Sequence, residues 1–414
     1  MALGLAVYYP VLSLLPLGGD NLYALAWVDQ ATVQGLLRLD PAIYPEWRPL
    51  AYQTLWLEHS FVQLRYVFIH HFVNLAIWVT CAWLVYRLVR ELGGARPWAV
   101  AAAGLLLVDR RLAEAMTWII ERQTPLACAF GLLACLLVAQ ARERTLSRRE
   151  WLAVSALLLA AALSKEYGLA FAAALAVAGA FGRRTDLATT GLAAALAYVG
   201  LRLTLAGGAF GLYCEDMGYM FEMRPQCVDP LSATVTGQML YNIAANGLGI
   251  VLRGVFDNDG RLSLNVTLLV PCVLLLAAAA GAFFRRTGPL YVLALVPLFN
   301  ALLGAMIYRG RNQLVGVCAM AVLTGVGLSL WEQRIAFRLR LPLRAAILGA
   351  LLAFGCWRAV GTHERVRSDV AELVAEDPCD SLMRTRPFVD RFARRVKATY
   401  GMDNPDCLQT PPAY

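Results

Sequence analysis

Asp20 is the first residue of this chain that could do chemistry, because it places a carboxylate directly after an apolar stretch. Residues 2–17 are apolar, and Gly18-Gly19-Asp20-Asn21 follows them. A carboxylate at a membrane boundary is costly unless it is solvated, paired or used. Within hydrogen-bond reach of a hydroxyl group, a carboxylate can act as a general base. We therefore take Asp20 as the candidate base, with a helix N-cap or a solvated loop acid as the alternative.

Further charged and amide side chains recur where later apolar runs end. Arginine and lysine can hold an anionic group such as phosphate, and arginine can do so through two parallel hydrogen bonds. The candidate binding residues are Arg48, Glu114, Arg122, Lys165, Glu166, Arg309 and Arg311, and the secondary candidates are Asp29, His70, His71, Asn74 and Asp109. Simpler alternatives are ion pairs of Glu114 and Glu166 with neighbouring cations, and histidines that are hydrogen-bonded within a helix bundle.

The composition predicts an all-α polytopic membrane protein that positions these residues. Of the 414 residues, 59% are hydrophobic and 16% are charged, and the mean hydropathy is +0.56. Soluble domains carry roughly 25% charged residues, so this chain is too apolar for that class. Apolar runs predict about 11 transmembrane helices. Their expected bounds are 2–17, 66–86, 97–108, 122–141, 151–163, 168–182, 187–206, 265–284, 288–308, 313–331 and 345–360.

Clusters of arginine in short loops predict the sides of the membrane. Cytoplasmic loops are enriched in Lys and Arg, so we place every such cluster and the N-terminus in the cytoplasm. The net charge of +8 is then loop charge that sets topology, and we expect no nucleic-acid partner. Residues 1–360 form the membrane module, and its expected external parts are loops 18–65, 109–121 and 207–264, with a small tail at 361–414. The Ala-, Leu- and Arg-rich composition suits a bacterial inner membrane, with the candidate site facing the periplasm.

Four of the ten cysteines fall in segments that this topology makes external. Cys214 and Cys227 share one loop, and Cys379 and Cys407 share the tail. Two even pairs in an oxidising compartment predict two disulfide bonds, with four free thiols as the alternative. The remaining cysteines lie in or beside predicted spans, where a thiol behaves as a small apolar group.

The order of these features resembles the GT-C superfamily of membrane glycosyltransferases, and within it the protein O-mannosyltransferases that carry tetratricopeptide repeats. The resemblance covers roughly residues 1–330. The chain departs from that branch in three ways: Asn21 replaces a second acid, Asp109-Arg110 replaces a His-Pro pair, and no repeats follow. The matching pieces are Gly19-Asp20, Trp47-Arg48-Pro49-Leu50, His70-His71 with Asn74, the segment from Asp109 through Glu114 to Arg122, Ser164-Lys165-Glu166, and Tyr308-Arg309-Gly310-Arg311.

The resemblance implies a GT-C-like fold and transfer of a sugar from a polyprenyl-phosphate donor to a protein, lipid or glycan acceptor. Asp20 is then the base that activates the acceptor hydroxyl. Arg309 and Arg311 hold the leaving phosphate, with Lys165 and Arg122 behind them. Membrane lipids are the other expected partners.

We expect no cofactor and no metal, because these residues form no recognised ligand motif. A divalent cation shared by Asp20, Asp109 and Glu114 is the alternative.

Two other function classes stay open. A catalytically silent GT-C-like subunit of an envelope complex would explain why Asn21 stands where the branch has a second acid. A lipid or solute transporter would explain charges near the membrane, since such charges also mark substrate pathways. The charges gather at one boundary and not at mid-bilayer, and no repeated halves are visible, so we favour the transferase.

Overall fold

The computed structural model describes the parts of the chain on which the candidate site is built. These residues form helices joined by turns, and none of them lies in a strand. The described residues are 2–13, 25, 28–29, 31, 47–62, 66, 68–109, 111–206, 240–244, 246–247, 250, 288–303, 313–334 and 337–375.

The long helices follow the apolar runs of the sequence. The chain begins with α1 (Ala2–Tyr8) and the 3-10 helix Tyr9–Ser13. The next α-helices are α2 (Pro49–Val62), α3 (Phe68–Glu91), α4 (Arg96–Leu107), α5 (Arg111–Thr117), α6 (Gln123–Gln140), α7 (Arg148–Ser164), α8 (Leu169–Phe181) and α9 (Thr185–Ala206). Two short 3-10 helices, Ile119–Arg122 and Glu166–Gly168, precede α6 and α8. Later in the chain follow α10 (Gly288–Leu303), α11 (Leu314–Arg334) and α12 (Phe337–Ala375).

Five segments of these helices are long and apolar enough to cross a membrane. They are Phe68–Glu91, Ile119–Gln140, Thr185–Leu205, Leu314–Arg334 and Leu341–Ser368. Shorter apolar helices are Ala2–Leu12, Arg96–Leu107, Glu166–Phe181 and Val292–Leu303. The prediction of an all-α integral membrane protein is confirmed. The number of spans stays a prediction, because the run at 265–284 lies outside the described residues.

Helix α12 is longer than the apolar run that predicted it. The sequence predicted a span at 345–360, whereas the helix runs from Phe337 to Ala375. Hydropathy locates only the apolar middle of a helix, because charged residues continue the same backbone without adding to the apolar signal.

Helix α6 lies in the middle of the bundle, where it contacts α3, α7 and α11, and α8 contacts α9 and α10. Small residues allow α8 and α9 to approach closely. A Cβ atom on Gly191 would lie 2.4 Å from the carbonyl oxygen of Ala172, and one on Gly179 would lie 2.3 Å from the backbone nitrogen of Ala188. Close backbone contact through small residues is typical of helix pairs in membranes. The close contact of α8 with α9 therefore fixes the positions of the turns at the ends of these two helices.

The arginine-rich loops meet at one end of the bundle. Arg142 Nη1 donates to the carbonyl oxygen of Glu91 at 3.3 Å, and Arg184 Nη1 donates to that of Arg142 at 3.4 Å. At the ends of α4 and α11, Trp98 Nε1 donates to Glu332 Oε2 at 2.7 Å. The opposite ends of α3, α6 and α8 carry the buried polar residues described next.

Candidate functional site

Four consecutive polar side chains stand at the junction of the Ile119–Arg122 helix and α6. Trp118 before this junction is extended (φ −101°, ψ 113°), so the chain turns sharply after α5. Pro125 lies in the first turn of α6, where the missing backbone N–H group is tolerated. The junction therefore brings together four buried side chains at one end of the bundle: Glu121, Arg122, Gln123 and Thr124.

Lys165 reaches this junction from the turn between α7 and α8. Its backbone is extended (φ −159°, ψ 139°), which ends α7. Its Nζ atom donates to Glu121 Oε2 at 3.1 Å and to Thr124 Oγ1 at 2.9 Å. The turn closes at Gly168, where a Cβ atom would lie 2.3 Å from the carbonyl oxygen of Ala161. The position of Lys165 therefore depends on a glycine three residues later.

Arg48 joins the same group of residues from the start of α2. It donates to Glu166 through two hydrogen bonds, Nε to Oε2 at 2.9 Å and Nη2 to Oε1 at 2.6 Å. Its Nη1 atom donates to Gln123 Oε1 at 2.7 Å, and Gln123 Nε2 donates to Glu121 Oε1 at 3.1 Å. A continuous set of hydrogen bonds thus runs from Arg48 to Lys165. We call these residues the Arg48 network, which comprises Arg48, Glu121, Gln123, Thr124, Lys165 and Glu166.

The charge of Arg48 determines the ionisation of Glu166, which lies in the turn that precedes the apolar helix α8. Burial alone would raise the pKa of Glu166, but the nearby charge and hydrogen bonds of Arg48 outweigh it and lower the pKa to about 2. Glu166 is therefore ionised at neutral pH, and its charge is neutralised within the Arg48 network.

A second ion pair links Arg122 to Glu58 of α2. Arg122 Nη1 donates to Glu58 Oε2 at 2.6 Å, and the other carboxylate oxygen contacts His70 Nδ1. Arg122 Nη2 also donates to the carbonyl oxygen of His70 at 3.4 Å. Burial would raise the pKa of Glu58, but the hydrogen bond from His70 and the charge of Arg122 lower it below its ordinary value. These contacts attach α2 to the first turn of α3.

Two of the secondary candidates hold the backbone of the turn before α6. His71 Nδ1 lies 3.2 Å from the carbonyl oxygen of Met116. Asn74 Nδ2 donates to the carbonyl oxygen of Ile119 at 3.2 Å and approaches that of Trp118 at 3.4 Å. Both side chains are buried. These contacts assign both residues to positioning Glu121 and Arg122. For His71, the structure therefore agrees with the alternative of a histidine that is hydrogen-bonded within the helix bundle.

Asp29 and Asp109 make separate pairs. Asp29 Oδ1 lies 3.4 Å from His59 Nε2. Asp109 accepts two hydrogen bonds of 2.9 Å from the guanidinium of Arg111, whose Nη1 atom donates to Gln313 Oε1 at 2.9 Å. Asp109 therefore ties the end of α4 to the start of α11.

The remaining predicted site residues cannot be placed with the Arg48 network. Glu114 lies on α5, and the structure describes its backbone position only. The other predictions fall outside the described residues: Asp20, Arg309, Arg311, Cys214, Cys227, Cys379 and Cys407. The roles assigned to them stay predictions.

Sequence reasoning singled out the cations of this site and Glu166, but not the other partners of these cations. Glu58, Gln123 and Thr124 were absent from the candidate residues, although each accepts a hydrogen bond from a buried cation. The run of four polar residues beginning at Glu121 was a usable signal, because such a run directly before an apolar helix is unusual in a chain with 16% charged residues.

No group of three or more His, Cys, Asp or Glu side chains in the described part of the chain is arranged to hold a metal ion. The expectation of a metal-free site stays a prediction, because the proposed cation ligand Asp20 is not among those residues.

Comparison with known proteins identifies solved structures with a similar fold. No family model and no curated protein sequence matches the chain. One solved structure that it resembles is the archaeal oligosaccharyltransferase AglB from Archaeoglobus fulgidus in complex with an inhibitory peptide and a dolichol-phosphate. The TM-score is 0.56 at 14% identity, and the match covers 100% of this chain and 60% of that one.

A second similar structure is the Archaeoglobus fulgidus oligosaccharyltransferase tethered through a disulfide bond to an acceptor peptide with an NVT sequon. Here the TM-score is 0.50 at 17% identity, over 86% of this chain and 52% of that one. The chain thus spans little more than half the length of either protein, and these matches do not confirm the O-mannosyltransferase branch. The fold of this integral membrane protein is GT-C-like and similar to that of these archaeal oligosaccharyltransferases.

Proposed function

We propose that this chain is a membrane glycosyltransferase that moves a sugar from a polyprenyl-phosphate donor to an acceptor on the periplasmic or luminal side. The observation that carries the proposal is the Arg48 network, in which buried charges from three separate segments meet at one end of a GT-C-like bundle. Buried charges at a membrane boundary are costly, so they mark functional sites. The similar structures were solved with a dolichol-phosphate and with an acceptor peptide, which agrees with a lipid-linked donor and a protein acceptor.

In the proposed reaction, Asp20 accepts the proton of the acceptor hydroxyl. The acceptor oxygen then attacks the anomeric carbon, the bond from that carbon to the phosphate oxygen breaks, and the configuration inverts. A carboxylate within hydrogen-bond reach suits this proton transfer. Arg309 and Arg311 receive the leaving phosphate, because arginine can donate two hydrogen bonds to it.

The contacts of the described cations give them a different role from the one that the sequence suggested. Arg48, Arg122 and Lys165 each face a carboxylate, namely Glu166, Glu58 and Glu121. A cation already neutralised by a buried carboxylate attracts a phosphate less than an unpaired one. We therefore assign these three residues to positioning, since their ion pairs hold α2 and two turns against each other.

Release of polyprenyl phosphate by the purified protein tests the proposed function. Purified protein in lipid nanodiscs receives polyprenyl-phosphate mannose, glucose or arabinose with a mixture of peptide and glycan acceptors, and release of polyprenyl phosphate is measured. We expect release with at least one donor and a loss of about 100-fold in Asp20→Asn. Unchanged turnover in this variant would remove Asp20 as the base, and no release with any donor would contradict the transferase assignment.

A catalytically silent subunit is the second candidate, because every acidic member of the Arg48 network is already paired with a cation. Such a protein would copurify with other envelope proteins and would not release polyprenyl phosphate. Affinity purification from the native membrane, followed by the same turnover assay on the complex and on the isolated chain, separates the two functions.

A further inference from the structure

Arg202 differs from the other buried cations of this chain. It lies near the end of α9, one turn before Ala206, and is only 4% exposed. Its Nη1 atom donates to the phenol oxygen of Tyr198 at 2.7 Å. None of the ion pairs within the described segments includes Arg202, whereas Arg48, Arg122 and Lys165 each have a carboxylate. Glu166 lies near Tyr198, but that carboxylate already pairs with Arg48, so the buried guanidinium of Arg202 has no carboxylate of its own to offset its desolvation.

A second donor without an acceptor lies beside Tyr198. The Trp47 ring is 6.0 Å from the Tyr198 ring, centroid to centroid, and the Arg202 guanidinium carbon is 6.0 Å from that ring centroid. Within the described structure, Trp47 Nε1 and Arg202 Nε are both buried and neither has a hydrogen-bond partner. Indole and guanidinium N–H groups can only donate. The group that would satisfy both must therefore accept hydrogen bonds and carry negative charge.

We propose that Trp47, Tyr198 and Arg202 form a binding site for a phosphate group. A phosphate carries its acceptor oxygens in tetrahedral directions, so one group can accept from Arg202 and from an indole that approaches from another side. Arginine is the side chain best suited to such oxyanions.

The position of the site fits a phosphate at the depth of lipid headgroups. Arg202 lies near the end of the candidate span Thr185–Leu205. Trp47 directly precedes Arg48, so the site adjoins the Arg48 network. The site does not depend on the proposed transferase reaction, since a catalytically silent subunit could bind a phosphate here as well.

The test measures phosphate binding by the full chain in nanodiscs of zwitterionic lipid. The probes are farnesyl phosphate, farnesol, inorganic phosphate and nanodiscs that contain phosphatidylglycerol, and the readout is the dissociation constant together with the change in Tm. We expect farnesyl phosphate to bind and farnesol not to bind. Loss of a hydrogen bond to a charged group should weaken binding about tenfold or more in Arg202→Gln and about threefold in Trp47→Phe.

The control variant is Arg149→Gln, which removes the same charge from an exposed position at the start of α7. It should bind farnesyl phosphate as the wild type does. Arg202→Lys tests charge without the guanidinium fork, and Trp47→Phe keeps both the charge and an aromatic ring, so these two variants carry the test if Arg202→Gln does not fold. Competition by inorganic phosphate would identify the phosphate group itself as the ligand, and a preference for farnesyl phosphate or phosphatidylglycerol would identify a lipid headgroup. Failure of every phosphate probe to bind the wild type, or equal affinities in the wild type, Trp47→Phe and Arg202→Lys, would overturn the proposal.

Discussion

Arg48 and Glu166, which are 118 residues apart in the sequence, meet through two parallel hydrogen bonds of 2.9 and 2.6 Å. This geometry ties the start of α2 to the turn between α7 and α8. Paired bonds of this kind fix direction as well as distance. The orientation of α2, and with it the position of Glu58, therefore depends on a contact with a distant turn.

Glu166→Gln should destabilise the protein. The amide keeps the shape of the side chain but leaves the guanidinium of Arg48 without a negative charge. We expect the free energy of unfolding to fall by about 2 kcal/mol. Unfolding in mixed detergent micelles measures this difference, and a double-mutant cycle with Arg48→Gln isolates the interaction. Additive effects of the two substitutions would show that the pair contributes nothing.

The stability should also depend on pH through Glu166. Its pKa is about 2 in the folded protein, against an ordinary value of 4.5. The contribution of the pair is therefore fully present above about pH 4.5 and is lost as the pH falls towards 2. The Tm of the wild type should approach that of Glu166→Gln over this interval. Parallel curves for the two proteins would contradict the assignment.

Glu58→Gln should have a larger effect, because its partner Arg122 is buried almost completely. Removing the acid leaves that guanidinium uncompensated, and we expect a loss of about 3 kcal/mol in the free energy of unfolding. The matched control is Arg144→Gln, which breaks an ion pair with Glu150 at the opposite end of the bundle. That pair is exposed to solvent, so its loss should leave the measured stability unchanged.

Gly168→Ala should move the turn that carries Lys165. The added methyl group would lie 2.3 Å from the carbonyl oxygen of Ala161, so the backbone must shift. We expect a lower Tm and, if the chain is a transferase, lower turnover. Gly104→Ala is the control, because a Cβ atom on Gly104 of α4 meets nothing within 4 Å. Alanine is the better helix former, so this control should be neutral or slightly stabilising.

The two predicted disulfide bonds can be counted directly. Cys214, Cys227, Cys379 and Cys407 should resist alkylation by a maleimide reagent in the unfolded, unreduced protein, and should react after reduction. We therefore expect the number of modified thiols, read by intact mass, to rise by four on reduction. Equal numbers before and after reduction would establish four free thiols.

The sequence predicted the helices well because a continuous apolar run is a local property. It also singled out Arg48, Arg122, Lys165 and Glu166, whose charges are conspicuous beside apolar helices. It could not predict which acid faces which cation, because Arg48 and Glu166 meet only through the arrangement of whole helices. The residue type made His71 a candidate site residue, but in the structure its Nδ1 atom contacts the carbonyl oxygen of Met116.

The environment of Arg202 could not be predicted from the sequence either. A single arginine near the end of an apolar run is typical of a boundary residue that reaches solvent. Only the structure shows that its side chain turns inward to Tyr198.

Helix α12 runs along the bundle and contacts it near both ends. Near its start, Arg344 pairs with Glu332, and 18 residues later Thr362 Oγ1 donates to the carbonyl oxygen of Val108 at 3.0 Å. At 1.5 Å per residue this interval is about 27 Å, close to the thickness of a bilayer's hydrocarbon core. The helix then continues to Ala375 for about another 20 Å. Val366, one turn beyond Thr362, is still buried, and α12 contacts α5, so the helix packs against the bundle past this interval. A fixed number of helical residues thus sets the separation of Glu332 from Val108, and the two ends of the bundle cannot move apart without breaking one of these contacts.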